Sequence, residues 1–191
     1  MSAVPKSLRR HAVSTGEYLR MGEAGVFARE ARLELIAGEI LEMAPISSAH
    51  AGTVIRLIRL FGRLAGDQAM LSVQNPLVVN DHSVPQPDVV LLKPRADDYT
   101  TSHPVAEDAL LVVEVADTTL AFDLGTKAAL YSRGGIAELW VVDLQDRSVR
   151  VFREPSASGY RASFTVVAGQ SVSCLALPAI TLAPADLVPA P

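Results

Sequence analysis

The sequence predicts a mixed α/β fold in which helices flank a central β-sheet, and three observations indicate this class. A strongly β-forming run at 110–116 is apolar on both faces, which is typical of a central strand. The segment 47–66 has the apolar period of a helix. Apolar and polar residues alternate on both sides of Ala37 and Gly38, which predicts a hairpin at 32–44.

The first half of the chain contains two predicted helices around this hairpin. The first helix begins after Ser14, which forms a capping box with Glu17, and ends near Gly22. The second helix, at 47–66, is amphipathic. Its predicted core-facing residues are Val54, Ile55, Leu57, Ile58, Phe61 and Leu64, and its predicted exposed stripe is Arg56, Arg59 and Arg63.

The second half of the chain contains most of the predicted sheet. Strand pieces are expected at 70–80, 87–92, 110–116 and 159–167, and a hairpin at 137–154. The polar segment 93–109 is predicted to be a loop with a helical turn. A helix is predicted at 117–135, with Thr118 or Thr119 as its cap and the glycines 134–135 as its end. The tail is predicted to pack irregularly.

Length and composition favour one globular domain over residues 1–191, with a core at about 15–155 and C-terminal strands and tail at 156–191. The net charge of −4 gives no general support for nucleic-acid binding. Cys174 is the only cysteine, which favours a reducing cytoplasm. We find no signal peptide and no run long enough to span a membrane, so the chain is expected to be cytoplasmic.

Two carboxylates lie where a charge is costly to bury. Asp88 opens the apolar run 89–92, and Glu114 lies inside 110–116. A buried carboxylate must be neutralised or find a cation. If these strands are neighbours, the two acids could share one Mg²⁺ or Mn²⁺ ion, which takes oxygen ligands and acidifies bound water. Lys127, on the next predicted helix, could orient that water.

These residues form an ordered series that resembles the Uma-two-like family of putative restriction endonucleases, in the PD-(D/E)XK nuclease superfamily. The resemblance covers about 15–155. Its motifs are ELIAGEI at 34–40, His50, Pro87-Asp88, Glu114-Val115, Asp123, Lys127, Tyr131 and GIAELWVVD at 135–143. It implies a restriction-endonuclease-like fold and a metal-dependent endonuclease that hydrolyses phosphodiester bonds of DNA, working as a homodimer.

The resemblance also implies roles for single residues. Asp88, Glu114 and the Val115 carbonyl would hold Mg²⁺ or Mn²⁺, and Lys127 would be catalytic. Glu39 and His50 are further candidate residues of the site. The superfamily lysine usually lies two residues after the acid, where this chain has Ala116. The family is thought to carry it on the next helix, which fits Lys127.

Simpler interpretations stay open for these residues. Asp88 could be a strand-edge or turn residue, Glu39 a polar residue on the face of the hairpin, and His50 a residue of the first turn of its helix. Glu114 could pair with a core arginine, and Lys127 could form a surface ion pair with Asp123. Asp117 could assist the metal or only cap a helix, and Tyr131 and Trp140 could be core residues. The whole chain could be an inactive module of the same fold that binds nucleic acid or a protein, or an enzyme acting on another phosphate ester.

Overall fold

A six-stranded sheet with the strand order β3-β4-β5-β6-β7-β8 forms the centre of the fold. Its strands are β3 Met70–Ser72, β4 Val89–Leu92, β5 Ala109–Ala116, β6 Glu138–Asp143, β7 Ser148–Arg153 and β8 Ala162–Val166. The β5–β6 pair is parallel, and the other pairs are antiparallel. The structure, a computed structural model, describes residues 9–28 and 30–188.

Helices and short strands cover both faces of this sheet. The helices are α1 Thr15–Glu23, α2 Ser48–Ala65, α3 Leu120–Phe122, α4 Ala128–Arg133 and α5 Pro184–Leu187. A π-helical turn, Asp123–Lys127, joins α3 to α4, and 3₁₀ turns lie at Gly66–Gln68 and Ala106–Asp108. Two hairpins complete the fold, β1 Leu33–Ile36 with β2 Glu39–Glu42, and β9 Val172–Ser173 with β10 Thr181–Leu182. The predicted class, a mixed sheet flanked by helices, is confirmed.

The sheet separates two apolar cores, because successive side chains of a strand point to opposite faces. On one face, α2 packs on the sheet, and the ring of Phe61 lies 6.2 Å from that of Trp140. On the other face, α4 packs through Leu130 and Tyr131 onto β5 and β6. The strand β5 is buried almost throughout, as predicted for a central strand.

Two local predictions are confirmed by the backbone. Ser14 caps α1, and the side chain of Glu17 accepts a hydrogen bond from the Ser14 N–H in the expected capping box. In the turn of the first hairpin, Ala37 has φ 50° and Gly38 has φ 82°. A two-residue turn needs positive φ at both positions to match the twist of its strands.

The predicted orientation of α2 is partly wrong. Ile55 is 67% exposed and Ile58 is 38% exposed, although both were expected to face the core. The helix contacts the sheet through a narrower stripe that includes Val54 and Leu57. Arg56 is half-buried, because its guanidinium donates hydrogen bonds to two carbonyls at the start of α5.

The C-terminal segment is more ordered than predicted. The short strands β9 and β10 pair with each other, and α5 follows them. Val172, Ile180 and Leu187 join the core on the α2 side of the sheet. No helix in the described ranges, 9–28 and 30–188, is long and apolar enough to cross a membrane.

Candidate active site

Asp88 and Glu114 lie side by side at one end of the sheet. Val89 pairs with Val113 across β4 and β5, so Asp88 comes opposite Glu114 just before β4 begins. Val90 and Val112, each two residues away along its strand, belong to the α4-side core, so both acidic side chains point to that face. The backbone N–H of Asp88 lies 3.4 Å from Oε2 of Glu114. The predicted meeting of the two acids is therefore what the fold produces.

Asp88 is a buried carboxylate held in its ionised form. Its Oδ1 accepts a hydrogen bond from Gln74 at 3.0 Å, and its Oδ2 accepts one from the Val115 N–H at 2.9 Å. Nε2 of His50 lies 3.1 Å from the same Oδ2. Burial acts to raise the pKa of Asp88, but the hydrogen bonds and charge of His50 and the bond from Gln74 outweigh it and lower that pKa.

Glu114 is more deeply buried, and its environment favours the protonated form. Its Oε1 accepts hydrogen bonds from Nζ of Lys127 at 3.0 Å and from the Tyr131 hydroxyl at 2.5 Å. Burial raises the pKa of Glu114 to about 8, because Lys127 offsets only part of the desolvation and Asp88 adds a negative charge. Burial and the neighbouring acids therefore favour a proton on Glu114 at neutral pH.

Lys127 lies in the π-helical turn and points inward. Its Nζ bridges Oε1 of Glu114 and Oε1 of Glu34, at 3.0 and 3.1 Å. Desolvation acts to lower the pKa of Lys127, but the surrounding carboxylates outweigh it and raise that pKa. The π turn interrupts the regular helix predicted at 117–135, and such turns are frequent at functional sites.

Lys127 does not form the surface pair with Asp123 that was the alternative interpretation. Both residues are buried, and the carboxylate of Asp123 instead accepts a hydrogen bond from the Thr119 hydroxyl at 2.6 Å. Among the residues that the structure describes, Glu114 likewise pairs with a lysine and a tyrosine and not with an arginine. Tyr131 and Trp140 are both core residues, as expected, but Tyr131 also contributes its hydroxyl to the site.

Glu34 is the residue of this site that the sequence analysis missed. It is 1% exposed, and its Oε1 accepts a hydrogen bond from the Gln86 N–H at 2.7 Å in addition to that of Lys127. The signal was present in the sequence, since Glu34 is an acid between apolar residues of a strand, like Glu114. The same argument applied to Glu34 would have found it.

Glu39, the predicted acid of the same hairpin, does not reach the site. It lies beside the tight turn, its side chain is 64% exposed, and its nearest charged partner is Arg10 at 3.6 Å. The register pairs Ile36 with Glu39, so Glu34 and Glu39 share a face of the hairpin. Glu34 belongs to β1, which is buried and is bridged to Val84, whereas Glu39 belongs to the more exposed β2. Glu39 is therefore replaced by Glu34 in the candidate site.

These side chains surround a cavity of about 130 Å³. Its wall includes Asp88, Glu114, Val115, Lys127, His50, Glu34, Asp117 and Asp123. Asp117 accepts hydrogen bonds from Ser47, the cap of α2, and from Gln145, so it fixes the rim of the cavity. Among residues 9–28 and 30–188, no group of three or more His, Cys, Asp or Glu side chains is arranged to hold a metal ion.

Comparisons with known proteins agree with this fold. The family model described as Uma2, putative restriction endonuclease, matches residues 15–185, which extends beyond the segment 15–155 that carries the sequence motifs. A crystal structure of a putative nuclease belonging to DUF820 from Anabaena variabilis ATCC 29413 is similar in fold, with a TM-score of 0.73. It is 15% identical, and the match covers 92% of this chain and 97% of that one. No curated protein matches the chain.

Proposed function

Because the chain belongs to the Uma2 family of putative restriction endonucleases and has a restriction-endonuclease-like fold, we propose that it is a metal-dependent endonuclease that hydrolyses phosphodiester bonds in DNA. One observation carries the proposal. Two buried carboxylates and a buried lysine from β4, β5 and the π turn meet at one cavity, although burying each charge is costly. Apolar side chains in place of buried charges are often as stabilising or more so, so stability alone does not account for this group.

The donor set fits a small hard cation such as Mg²⁺ or Mn²⁺. Magnesium sites typically use one or two carboxylates, several waters and substrate phosphates, so a third acid is not needed. Asp88 and Glu114 would hold the ion. The Val115 N–H points to Asp88, and the N–H and C=O of a strand residue point to the same side, so the Val115 carbonyl is a third candidate ligand. A bound ion would lower the pKa of a coordinated water and offset charge on the phosphoryl group.

Lys127 supplies a fixed positive charge beside the two acids. Held between Glu114 and Glu34, its ammonium group would donate hydrogen bonds to the attacking water or to a phosphate oxygen. His50 would act through Asp88, because its Nε2 faces an oxygen of that carboxylate. His50 is thus proposed to position a ligand and not to react.

The DNA substrate and the homodimer belong to this proposal. Arg59 and Arg63, on the exposed side of α2, are candidate phosphate contacts, whereas Arg56 is engaged by the backbone near α5. Exchange of Arg59 and Arg63 for glutamine should weaken DNA binding. The slope of the logarithm of the binding constant against the logarithm of the salt concentration should become shallower by about 2. Sedimentation of the protein with a cognate duplex would show whether two copies act on two strands.

An inactive module of the same fold that binds nucleic acid or a protein is the second candidate function. The observation that favours it is that both oxygens of Asp88 are already engaged by protein donors. Such a protein would bind without cutting.

A cleavage assay with Mg²⁺ or Mn²⁺ on duplex, single-stranded and branched DNA tests the proposal. The endonuclease should cut at least one of these substrates, and Asp88→Ala and Glu114→Ala should abolish cutting while DNA binding is retained. Absence of metal-dependent cutting on every substrate would leave the binding module as the better interpretation.

A further inference from the structure

One oxygen of Glu34 is buried in the site without a protein partner. Among the described residues, Oε2 of Glu34 is the one fully buried carboxylate oxygen that accepts no hydrogen bond. Its other oxygen, Oε1, accepts two, from the Gln86 N–H and from Lys127. Burial of an acceptor without a hydrogen-bond partner is destabilising, so this oxygen calls for an explanation. Glu34 lines the same cavity as Asp88 and Glu114.

Hydrolysis at this cavity needs a group that accepts a proton from the attacking water. Lys127 lies between two carboxylates and can only donate in that position. The two carboxylate oxygens of Asp88 together accept hydrogen bonds from three donors. Glu114 already accepts two hydrogen bonds at Oε1. Glu34 and Asp123 are the remaining acids on the Lys127 side of the cavity, and Oε2 of Glu34 accepts no hydrogen bond from the protein.

We propose that Glu34 is a catalytic residue of this site, whose Oε1 fixes Lys127 and whose Oε2 takes the proton of the attacking water. The proposal rests on the endonuclease function. The O–H bond of the water breaks, its electron pair stays on oxygen, and that oxygen bonds to phosphorus. The P–O ester bond breaks, and its electron pair leaves on the ester oxygen, which takes a proton from solvent. Glu34 then releases its proton to solvent.

Asp123 is the competing acceptor, and it provides a comparison. Asp123 also lines the cavity, and one of its oxygens accepts a hydrogen bond from the Thr119 hydroxyl. Unlike Glu34, it forms no ion pair with Lys127 in the part of the chain that the structure describes. If Asp123 were the general base, the ion pair of Glu34 with Lys127 would have no role in the reaction. Exchange of Asp123 for asparagine therefore separates the two possibilities.

The test compares Glu34→Gln, Asp123→Asn and the exposed control Glu39→Gln in the full chain. We measure kcat and KM for cleavage with Mn²⁺, the affinity for Mn²⁺ by calorimetry, and the melting temperature. Glu34→Gln should lower kcat by about 10²- to 10⁴-fold, the usual contribution of a general base. It should leave KM and the Mn²⁺ affinity unchanged. Asp123→Asn should retain most of kcat, and Glu39→Gln should behave as wild type.

A second pair of variants protects the test against a folding defect in Glu34→Gln. Glu34→Asp and Glu34→Asn have nearly equal side-chain volumes and differ in the carboxylate. A proton acceptor predicts partial activity in the aspartate variant and none in the asparagine variant, at equal melting temperature. Equal activity of the two variants would overturn the proposal.

The outcomes also separate this proposal from the endonuclease function itself. Wild-type cleavage with full activity in Glu34→Gln would overturn the role of Glu34 and leave the endonuclease function intact. Loss of both Mn²⁺ binding and cleavage would make Glu34 a metal ligand and overturn its role as base. Absence of cleavage in the wild type would overturn both.

Discussion

Glu114 and Glu138 are both fully buried, on the adjacent strands β5 and β6, yet they have opposite surroundings. Oε1 of Glu138 accepts hydrogen bonds from Arg153 and from Trp140 Nε1, and its Oε2 accepts the Leu175 N–H at 2.7 Å. Glu114 instead shares a single lysine with Glu34 and lies beside Asp88. Glu138 is saturated with donors, whereas Glu114 belongs to a group of acids with too little positive charge.

The difference distinguishes a structural carboxylate, Glu138, from Glu114, the one proposed to be functional. Arginine donates to a carboxylate through a fixed fork and remains charged, so Glu138 ties the end of β7 and the segment at Leu175 to the sheet. The site around Glu114 keeps its cavity and its excess of acids, which a cation would neutralise. Burial alone does not distinguish Glu138 from Glu114. The positive charge beside each residue does, because Glu138 has its own arginine and Glu114 shares one lysine with Glu34.

The largest expected effect is on catalysis in Glu114→Gln. Losing a metal ligand removes several kcal/mol of transition-state stabilisation, so cleavage should fall by about a thousandfold or more. The melting temperature of the metal-free protein at pH 7 should change little, because glutamine resembles the protonated acid. Single-turnover cleavage and calorimetry measure the two quantities. A strongly destabilised variant would mean that Glu114 is structural like Glu138.

Glu138→Gln should show the reverse pattern. Breaking a buried ion pair while its partner remains costs about 3–5 kcal/mol, which corresponds to a fall of roughly 10 °C in melting temperature. Glu154→Gln is the matched control, because Glu154 is exposed and its pair with Arg161 spans 3.9 Å. That control should unfold like the wild type. The expectation fails if denaturant unfolding shows equal stability for both variants.

The metal-free protein should lose stability as pH rises from about 5 to 9. The pKa of Glu114 is raised to about 8 from its ordinary value near 4.5, so the folded state binds the extra proton between these values. This contribution is fully present below the unfolded pKa and is lost as pH passes the folded one. The lowered pKa of Asp88 affects stability only at acidic pH, and the raised pKa of Lys127 affects it only at alkaline pH. Melting curves in EDTA would measure the slope, and Glu114→Gln should flatten it.

The smallest expected effect concerns the Tyr131 hydroxyl. Tyr131→Phe removes one donor from Glu114 and should cost about 1 kcal/mol of stability, the usual net value of a hydrogen bond. It should also shift the pH range over which stability is lost, because Glu114 then accepts one hydrogen bond fewer. The control is Tyr160→Phe, whose hydroxyl donates to the Ile136 carbonyl and not to an acid. Its stability should fall by a similar amount with no change in pH dependence.

Much of the fold could be predicted because local signals fixed it. The cap at Ser14, the turn at Ala37-Gly38 and the apolar run of β5 each specify a structure from a few neighbouring residues. The exposure of Ile55 could not be predicted in this way, because helical period does not say how wide a stripe the sheet covers. The π turn was not predicted either, and its Lys127 contacts Glu34 and Glu114, which are distant in the sequence.

The meeting of Asp88 and Glu114 could be predicted from the sequence, whereas the choice between Glu34 and Glu39 could not. Asp88 and Glu114 meet because adjacent strands place them opposite each other. Glu34 and Glu39 lie on one face of one hairpin, and the strand that carries each acid separates the buried residue, on β1, from the exposed one, on β2. The sequence contained both acids but not the position of the hairpin on the sheet.

The most direct test of the central claim is a crystal of the protein soaked in Mn²⁺ and measured for anomalous scattering. Shared binding by Asp88 and Glu114 predicts one peak between the two carboxylates, at about 2.0–2.2 Å from an oxygen of each. The same peak should vanish in Glu114→Gln. A crystal with no peak at this cavity, or with a peak bound by other side chains, would contradict the claim.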